Sequence, residues 1–484
     1  MSDMSRSSAI NRIATLLDDS SFVEIGGYVT ARSTDFNLQD QEIPSDGVIT
    51  GYGTVEGKLA FVYSQDAAVL GGSIGEMHAR KIVKLYELAM KTGAPVVGFV
   101  DCAGLRLQEA TDALHGFGAL YASQINASGV IPQITGIFGV CGGGMAVVPT
   151  LTDFTFMESS KAKLFVNSPN ALEGNSSDKN DTASARFQSG EAGIVDGIGE
   201  EAEIIAKIRE LVAILPSNNE ETPEADVCTD DLNRYCNGLE AGAADSAYAL
   251  SEISDNGYFF EVKADYAKEM VTGFIKLNGT LVGGVANRTV VYDENGEKTA
   301  EFEPVLTSAG AEKAADFVKF CDSFEIPVLT LSNVKGFKAT VCEEKHIARA
   351  AAKLTYTFAE ATVPKVTVIT GAAYGSAGLM MNSGSIGADI VYAWPEASVG
   401  MMEPQAAAKI MYAKEIASSG NGAELVREKA AEYAALQASA VSAAKRGYVD
   451  DIITAAETRK RVIASFEMLY TKRVDLPLKK HGTV

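Results

Sequence analysis

The hydrophobic and polar positions change period several times along this chain, and the order of the changes repeats. In "EMHARKIVKLYELAMK", Glu76 to Lys91, apolar residues recur at helical spacing and predict an amphipathic helix. A β-rich run ending in glycine follows in "TGAPVVGFVDCAG", Thr92 to Gly104, and the same order returns in "FEIPVLTLSNVKG", Phe324 to Gly336. Adding 232 carries Pro95 to Pro327, Gly104 to Gly336, Pro132 to Pro364 and Gly143 to Gly375. Upstream, "TGYGTVEGKLAFVYSQD" (Thr50 to Asp66) resembles "TGFIKLNGTLVGGVANR" (Thr272 to Arg288) at a slightly different offset, as an insertion between them would produce. Both alternate around a Glu-Gly or Asn-Gly pair and predict a hairpin. Each half therefore reads hairpin, helix, strand, helix, strand, which predicts an α/β fold of parallel βαβ units with covered sheet faces. The acidic stretch from Leu215 to Gly238 reads as the linker, so the expected domains are residues 1–225 and 240–484.

Between Asn126 and Thr152 there is no charged residue, a length that could span a membrane. Pro132, Pro149 and a glycine cluster cut it instead into strand, loop and helix, and predict a buried segment. The N-terminal "MSDMSRSSAINRIATLLDD" resembles a capped amphipathic helix and lacks the apolar core of a signal peptide, so a cytoplasmic protein is expected. Composition narrows the partners: a net charge of −21 repels phosphate backbones and anionic lipid, which argues against nucleic acid or a membrane surface. The six cysteines show no CxxC pair, and no two of the four histidines stand at ligand spacing on one helix, so neither a disulfide framework nor a metal site is expected.

Candidate chemistry lies in two glycine-rich loops, "GVCGGGMAVVP" (Gly139 to Pro149) and "GAAYGSAGLMM" (Gly371 to Met381), each after a predicted strand and before a helix. Neither has the lysine of a Walker loop, and the first fails the Rossmann spacing and lacks a GxSxG nucleophile elbow. Bare backbone ahead of a helix can present N–H groups to an oxygen that becomes negative during reaction, or can merely permit close helix-strand packing. Both readings stand at this point.

The stretches "IPSDGVITGYGTVEGKLAFVYSQDAAVLGGSIGEMHARKI", "DCAGLRLQE", "ASGVIPQITGIFGVCGGGMAVVPTLTDFTFM", "FCDSFEIPVLTL", "FAEATVPKVTVIT", "DIVYAWPEA" and "YVDDIITAAETRKRVIASFEMLYTK" occur in order. Together they resemble the carboxyltransferase subunits of biotin-dependent acyl-CoA carboxylases and the related decarboxylases, from about residue 10 to the end. The resemblance implies two tandem crotonase-like (ClpP/crotonase) ββα-superhelix domains, the N-terminal one holding acyl-CoA and the C-terminal one of a partner subunit holding biotin, with the active site between them. It places the N-domain oxyanion donors on Gly143 and Gly144 and those of the C-domain, on the biotin side, on Ser376 and Ala377. Further candidate substrate-binding positions are Gly104, Arg106, Gly142, Tyr374, Gly375 and Leu379.

The activity so implied is carboxyl transfer between carboxybiotin on a separate carrier protein or domain and an acyl-CoA of the propionyl/methylmalonyl type, through an enolate and a biotin anion. Partners implied are a biotin carboxyl carrier protein, a biotin carboxylase or a membrane decarboxylase subunit, and further copies of the chain as a dimer or trimer of dimers. The alternatives are the soluble subunit of a sodium-pumping decarboxylase, a non-catalytic acyl-CoA-binding or scaffolding subunit, and a crotonase-like hydratase, the last opposed by the lack of a Glu pair near Gly143.

Several side chains have competing readings. Lys91 in "AMKT" imitates a biotinylation site but ends an amphipathic helix, where a carrier lysine would stand on a hairpin tip. Arg106, Gln108 and Glu109 either meet the substrate or anchor their loop. His78, Arg80, Lys81 and Lys84, or Lys161 and Lys163, either meet CoA phosphates or line a solvated face. Cys141 reads as a small buried residue and Trp394 as core or interface. Departures from the family pattern fall at Phe337 to Leu354, at Met401 to Ala407 with Glu403 and Pro404, and at Leu379, which stands where relatives carry an acidic residue linked to acyl-chain choice. The polar segment Val166 to Gly190 is an expected substrate-covering loop.

Overall fold

The computed structural model describes residues 7–32, 35, 36, 38, 43–221, 225–293 and 295–484. Residues 1–6 of the expected N-terminal helix lie outside these; the helix itself is α1, Ser8–Leu16. The chain divides into two compact units, Met1–Thr222 and Pro223–Val484.

In the first unit, β1 (Val48–Val55) and β2 (Lys58–Gln65) form an antiparallel hairpin in register from Val48↔Gln65 to Val55↔Lys58. Its turn places Glu56 and Gly57 at φ 51° and 82°, the pair of positive angles that a tight hairpin turn demands. Helix α2 (Glu76–Thr92) follows and stops at Gly93, whose left-handed φ of 62° ends the helix. Lys91 is therefore an exposed residue of a helix's last turn. Strand β3 (Val96–Cys102), helix α3 (Ala110–Ala127), β4 (Gln133–Gly142) and β5 (Phe154–Glu158) continue the unit, with β2, β3, β4 and β5 parallel neighbours, and α4 (Glu201–Ile214) closes it.

The second unit repeats this order with α5 (Ser246–Ile253), the hairpin β6 (Met270–Leu277) and β7 (Thr280–Asn287), α6 (Ser308–Ser323), β8 (Val328–Val334), α7 (Ile347–Glu360), β9 (Lys365–Tyr374), the short helix α8 (Gly375–Met380), β10 (Ile390–Ala393) and α9 (Thr458–Met468). Among the described residues each unit holds one eight-stranded sheet. Each also has its own apolar core, around Phe61, Leu85, Val100 and Ile137 in the first and around Val271, Val282, Leu329 and Val366 in the second.

The duplication reaches single hydrogen bonds. Asp18 accepts from the turn amides of Glu56 and Gly57, and Asp255 from those of Asn278 and Gly279. An arginine from the last helix of the unit then pairs with each carboxylate, Arg209 with Asp18 and Arg459 with Asp255, and also binds the end of the unit's first helix at Leu16 O or Ile253 O. Lys81 and Lys313, 232 residues apart, are both buried and donate to main-chain oxygens ahead of or at the start of their hairpins, Ser45 O and Val48 O in one case, Lys263 O and Tyr266 O in the other. Desolvation pushes Lys81 down to about 8 and Lys313 to about 7.

From Asp226 onward, the acidic stretch read as a linker is bound into the second unit. The Asp226 N–H donates to Gly279 O, the buried Cys236 N–H to Ala456 O, and Arg234 pairs with Asp230 and Glu252. Among the described residues no helix is long and apolar enough to cross a membrane; the uncharged run is divided among the end of α3, buried β4 and the glycine loop.

Candidate active-site loops

Strand β4 ends at Gly142, and the chain turns through Gly143–Ala146 into a short helix, Val147–Thr150. Gly143 makes that turn with φ 63° and with open space where a Cβ would stand, so backbone conformation rather than crowding requires glycine. Gly142 is required by crowding, since a Cβ would lie 2.8 Å from the Phe165 ring. In the second unit β9 ends at Tyr374, and Gly375, with φ 58°, opens α8; a Cβ there would meet Met401 O at 3.1 Å. The two loops thus share a left-handed glycine at equivalent positions, 143 and 375, with the following N–H groups in the first helical turn, where no intrahelical partner exists. Gly144, Ser376 and Leu379 are exposed, while Ala377 and Tyr374 are buried.

Behind the first loop, β3 and β4 are in register from Val96↔Gln133 to Val100↔Ile137, then slip so that Cys102 pairs with Cys141. Strands β8 and β9 slip at the equivalent place, so that Val334 pairs with Ala373. The slip brings Gly104 beside the first loop, its Cβ position 3.8 Å from Gly142 O. Gly104, Gly142, Gly143 and Gly144 therefore gather at one end of the first sheet, and Tyr374, Gly375, Ser376, Ala377 and Leu379 at the same end of the second.

Of the two readings of Arg106, the geometry favours the loop anchor. Its side chain is 1% exposed; one terminal nitrogen binds the carboxylates of Asp46 and Glu109, the other Ser73 O, and Nε faces Ser73 Oγ. Glu109 in turn accepts the N–H of Glu76 at the start of α2, at 2.6 Å. The altered segment of the second unit performs the same task, because Glu343 accepts the N–H of Ser308 at the start of α6, at 2.7 Å. Phe337 also forms the parallel bridge to Leu306 that Leu105 forms to Ile74.

A solvated face along α2 does not describe His78 or Lys81. His78 is fully buried; Nδ1 donates to Asp46 O at 2.9 Å, so Nε2 accepts from the Gln65 amide at 3.1 Å, and desolvation holds the ring down to about 3, neutral at physiological pH. Arg80 and Lys84 are exposed and pair with Glu76 and Glu87. Lys163 pairs with Asp181, and Lys161 is exposed. Cys141 is buried, with its thiol pushed well up by desolvation, and Trp394 is buried with Nε1 donating to Thr458 Oγ1. The segment 166–190 is a folded surface piece, tied by Asn175 to Pro169 O and Asn180 O and by Gln188 to Thr182 O.

Two residues near the first loop, and one at the Arg106 anchor, escaped the sequence reading. Tyr121 donates its hydroxyl to Gly144 O at 2.6 Å, Asp46 accepts from both Arg106 and the His78 amide, and Asp101 lies against Gly139. Asp101 was within reach, because adding 232 carries it to Asn333, whose Oδ1 accepts the N–H of Ala372 in β9. Lys335 and Glu403 border the second loop as an ion pair at 3.9 Å.

Comparison with known proteins agrees with this duplicated geometry. The family model described as the carboxyl transferase domain matches residues 2–484. The methylmalonyl-CoA decarboxylase subunit alpha of Propionigenium modestum is 40% identical over 488 residues, covering 98% of this chain and 92% of that protein. The propionyl-CoA carboxylase beta chain of Roseobacter denitrificans is 39% identical over 488 residues, with 98% and 93% covered. Among solved structures, transcarboxylase 12S, described as a hexamer and crystallised with hydrolysed methylmalonyl-coenzyme A, superposes with a TM-score of 0.91 at 36% identity, covering 98% of this chain and 92% of its own. The two units therefore have the crotonase-type carboxyltransferase fold.

Proposed function

This chain belongs to the carboxyl transferase family, and from that premise we propose that it moves a carboxyl group between biotin on a separate carrier and an acyl-CoA of the propionyl or methylmalonyl type. It is an enzyme of the carboxyltransferase class. The observation that carries the finer reading is the pair of equivalent loops, each turned by a left-handed glycine, Gly143 or Gly375, and each presenting first-turn amides without a charged side chain among Gly142–Ala146 or Gly375–Met380.

In this reading the N–H groups of Gly143 and Gly144 receive the thioester oxygen of acyl-CoA. Removing a proton or a carboxyl group from the adjacent carbon places negative charge on that oxygen, and preset donors favour the charged state over the ground state. One such donor contributes roughly 2.7 to 4 kcal/mol. Gly104 and Gly142 line the approach, and Arg106 acts on the substrate only by fixing its loop. Ser376 and Ala377 present their N–H groups to the ureido oxygen of biotin, with Tyr374 and Gly375 shaping the turn. The exposed Ser376 and the left-handed Gly375 suit a neutral, hydrogen-bond-accepting group at this place. Carrier-bound biotin supplies a carboxyl group that is readily transferred; the protein's share is to hold the acceptor carbon and the two oxygens.

Leu379 and Met401, exposed beside the second loop, offer an apolar surface, and carboxylated acyl-CoAs with a short branch suit it. A biotin carboxyl carrier protein, a biotin carboxylase or membrane decarboxylase subunit, and further copies of the chain are the proposed partners. The test is to supply purified protein with biocytin and malonyl-, methylmalonyl- or glutaconyl-CoA and to follow loss of the free carboxyl group. Biocytin-dependent loss with any thioester supports the proposal. No loss with any of them, in protein that binds acyl-CoA, would leave the non-catalytic subunit as the reading.

A further inference from the structure

The first glycine loop needs a support beneath β4, because Gly142, Gly143 and Gly144 have no side chains to lock their turn. Asp101, near the end of β3, stands at that place. Its main-chain N–H donates to the Gln65 amide oxygen at 3.2 Å, and its carboxylate lies by the N–H of Val140, three residues ahead of Gly143. A Cβ on Gly139 would fall 1.9 Å from Asp101 Oδ1, so this glycine exists to let the carboxylate lie against the strand. Arg12 of α1 approaches Asp101 Oδ2 to 3.7 Å while binding Glu201 and stacking 4.6 Å from the centre of the Phe138 ring.

The second unit contains the same device in neutral form. Asn333 stands 232 residues on; its N–H donates to Asn287 Oδ1 at 3.0 Å, and its own Oδ1 accepts the N–H of Ala372 at 3.0 Å. A Cβ on Gly371 would lie 2.4 Å from that Oδ1, as a Cβ on Gly139 would collide with Asp101. Both contacts coincide with the register slips that aim the loops, between Val100 and Cys102 and between Ser332 and Val334. The common element is an acceptor oxygen at fixed reach from the strand; the charge occurs in one copy only.

We propose that Asp101 is the positioning residue of the first loop, holding Val140 and through it the amides of Gly143 and Gly144 in line with the thioester oxygen, by the geometry of its acceptor oxygen and not by its charge. The inference rests on the reading that this loop receives the thioester oxygen. A side chain that only stabilised the fold would change melting temperature and leave the bound thioester unaltered; a positioning residue changes the thioester itself.

The experiment binds [1-13C]propionyl-CoA to the full-length protein and records the carbonyl carbon resonance, together with kcat and KM for biocytin-dependent methylmalonyl-CoA decarboxylation. In the wild type the resonance moves downfield on binding as the loop amides polarise the carbonyl. Asp101→Asn, which keeps the acceptor and removes the charge, is expected to retain both the displacement and kcat within about twofold. Asp101→Ala is expected to lose much of the displacement and to lower kcat by about tenfold or more with KM for the acyl-CoA little changed, the cost of a misaimed donor. Should the alanine variant not fold, Asp101→Glu keeps the charge beside Arg12 but drives its longer side chain against Gly139, and is expected to behave as the alanine variant does. An Asp101→Ala or Asp101→Glu protein with wild-type displacement and kcat overturns the proposal, and so does an Asp101→Asn protein as impaired as the alanine variant. A wild type that binds propionyl-CoA with no displacement overturns the functional reading of the loop as well, so the two failures are told apart.

Discussion

Gly143 and Gly144 differ in what they permit, and substitution separates the two. At Gly143 the φ of 63° is unfavourable for an L side chain although space is open, so Gly143→Ala places about 1–2 kcal/mol of strain in the turn itself. The expected result is a folded protein with turnover lowered at least tenfold; a wild-type rate would show that the direction of these amides is not used. A Cβ on Gly144 would stand 3.0 Å from Tyr121 Oη, so Gly144→Val displaces the hydroxyl that donates to Gly144 O and is expected to abolish turnover while circular dichroism stays unchanged. Tyr121→Phe removes that one bond, worth about 0.5–1.5 kcal/mol, and is expected to lower kcat several-fold without altering KM. Asp153 belongs to the same scale. Burial holds its carboxyl up to about 7 from 3.8, so the folded state keeps a proton that the unfolded chain releases, and its contribution to stability falls as pH rises from about 4 through 7. Asp153→Asn, which keeps an acceptor for the Gln133 N–H at 2.7 Å, is expected to melt higher than wild type at pH 8 and no higher at pH 5.

At the scale of elements, each unit is closed by an arginine from its last helix reaching a carboxylate under its first hairpin. The two pairs differ in burial: Arg459 and Asp255 are 0% and 6% exposed, whereas Arg209 and Asp18 are 28% exposed each. Removing one partner of the buried pair strands the other charge away from water, at a cost of about 3–5 kcal/mol. The half-exposed pair is screened by solvent and contributes about 1 kcal/mol or less. Arg459→Met is therefore expected to lower the denaturant midpoint far more than Arg209→Met, and equal shifts would contradict the burial argument. The departures at Phe337 to Leu354 gain a structural meaning here. Glu343 still caps α6 as Glu109 caps α2, so the segment has changed sequence while keeping its bridge and its helix-capping carboxylate.

Over the whole molecule, a net charge of −21 leaves local donors to bind anionic ligands, and in the proposed function main-chain amides in the two loops supply them at no cost in formal charge. The proposed homo-oligomer predicts a sedimenting mass at a multiple of 51.1 kDa at micromolar concentration; a monomer under those conditions would remove further copies from the partners. The buried lysines serve the same economy of charge. Lys81 and Lys313 spend their ammonium groups on main-chain oxygens inside each unit, and neither is available to a CoA phosphate.

The sequence alone determined the α/β class, the duplication and the places of both glycine loops, because punctuation by proline and glycine and the alternation around Glu56-Gly57 and Asn278-Gly279 are local properties of the chain. The 232-residue offset already paired Gly143 with Gly375, and the structure gives both the same left-handed turn. What only tertiary structure decided is where the side chains spend their charges. Arg106 turned inward because Asp46, 60 residues away, and Glu109 meet it in a space closed to water. His78 and Lys81 are buried because their face of α2 lies against the segment ahead of β1, a matter of packing that helical spacing does not reveal. Asp101 and Tyr121 acquire their places beside the first loop only when the register of β3 on β4 slips by two residues and α3 comes to rest beside Gly144. Periodicity fixes which residues share a strand or a helix; long-range packing fixes which of their polar atoms find each other.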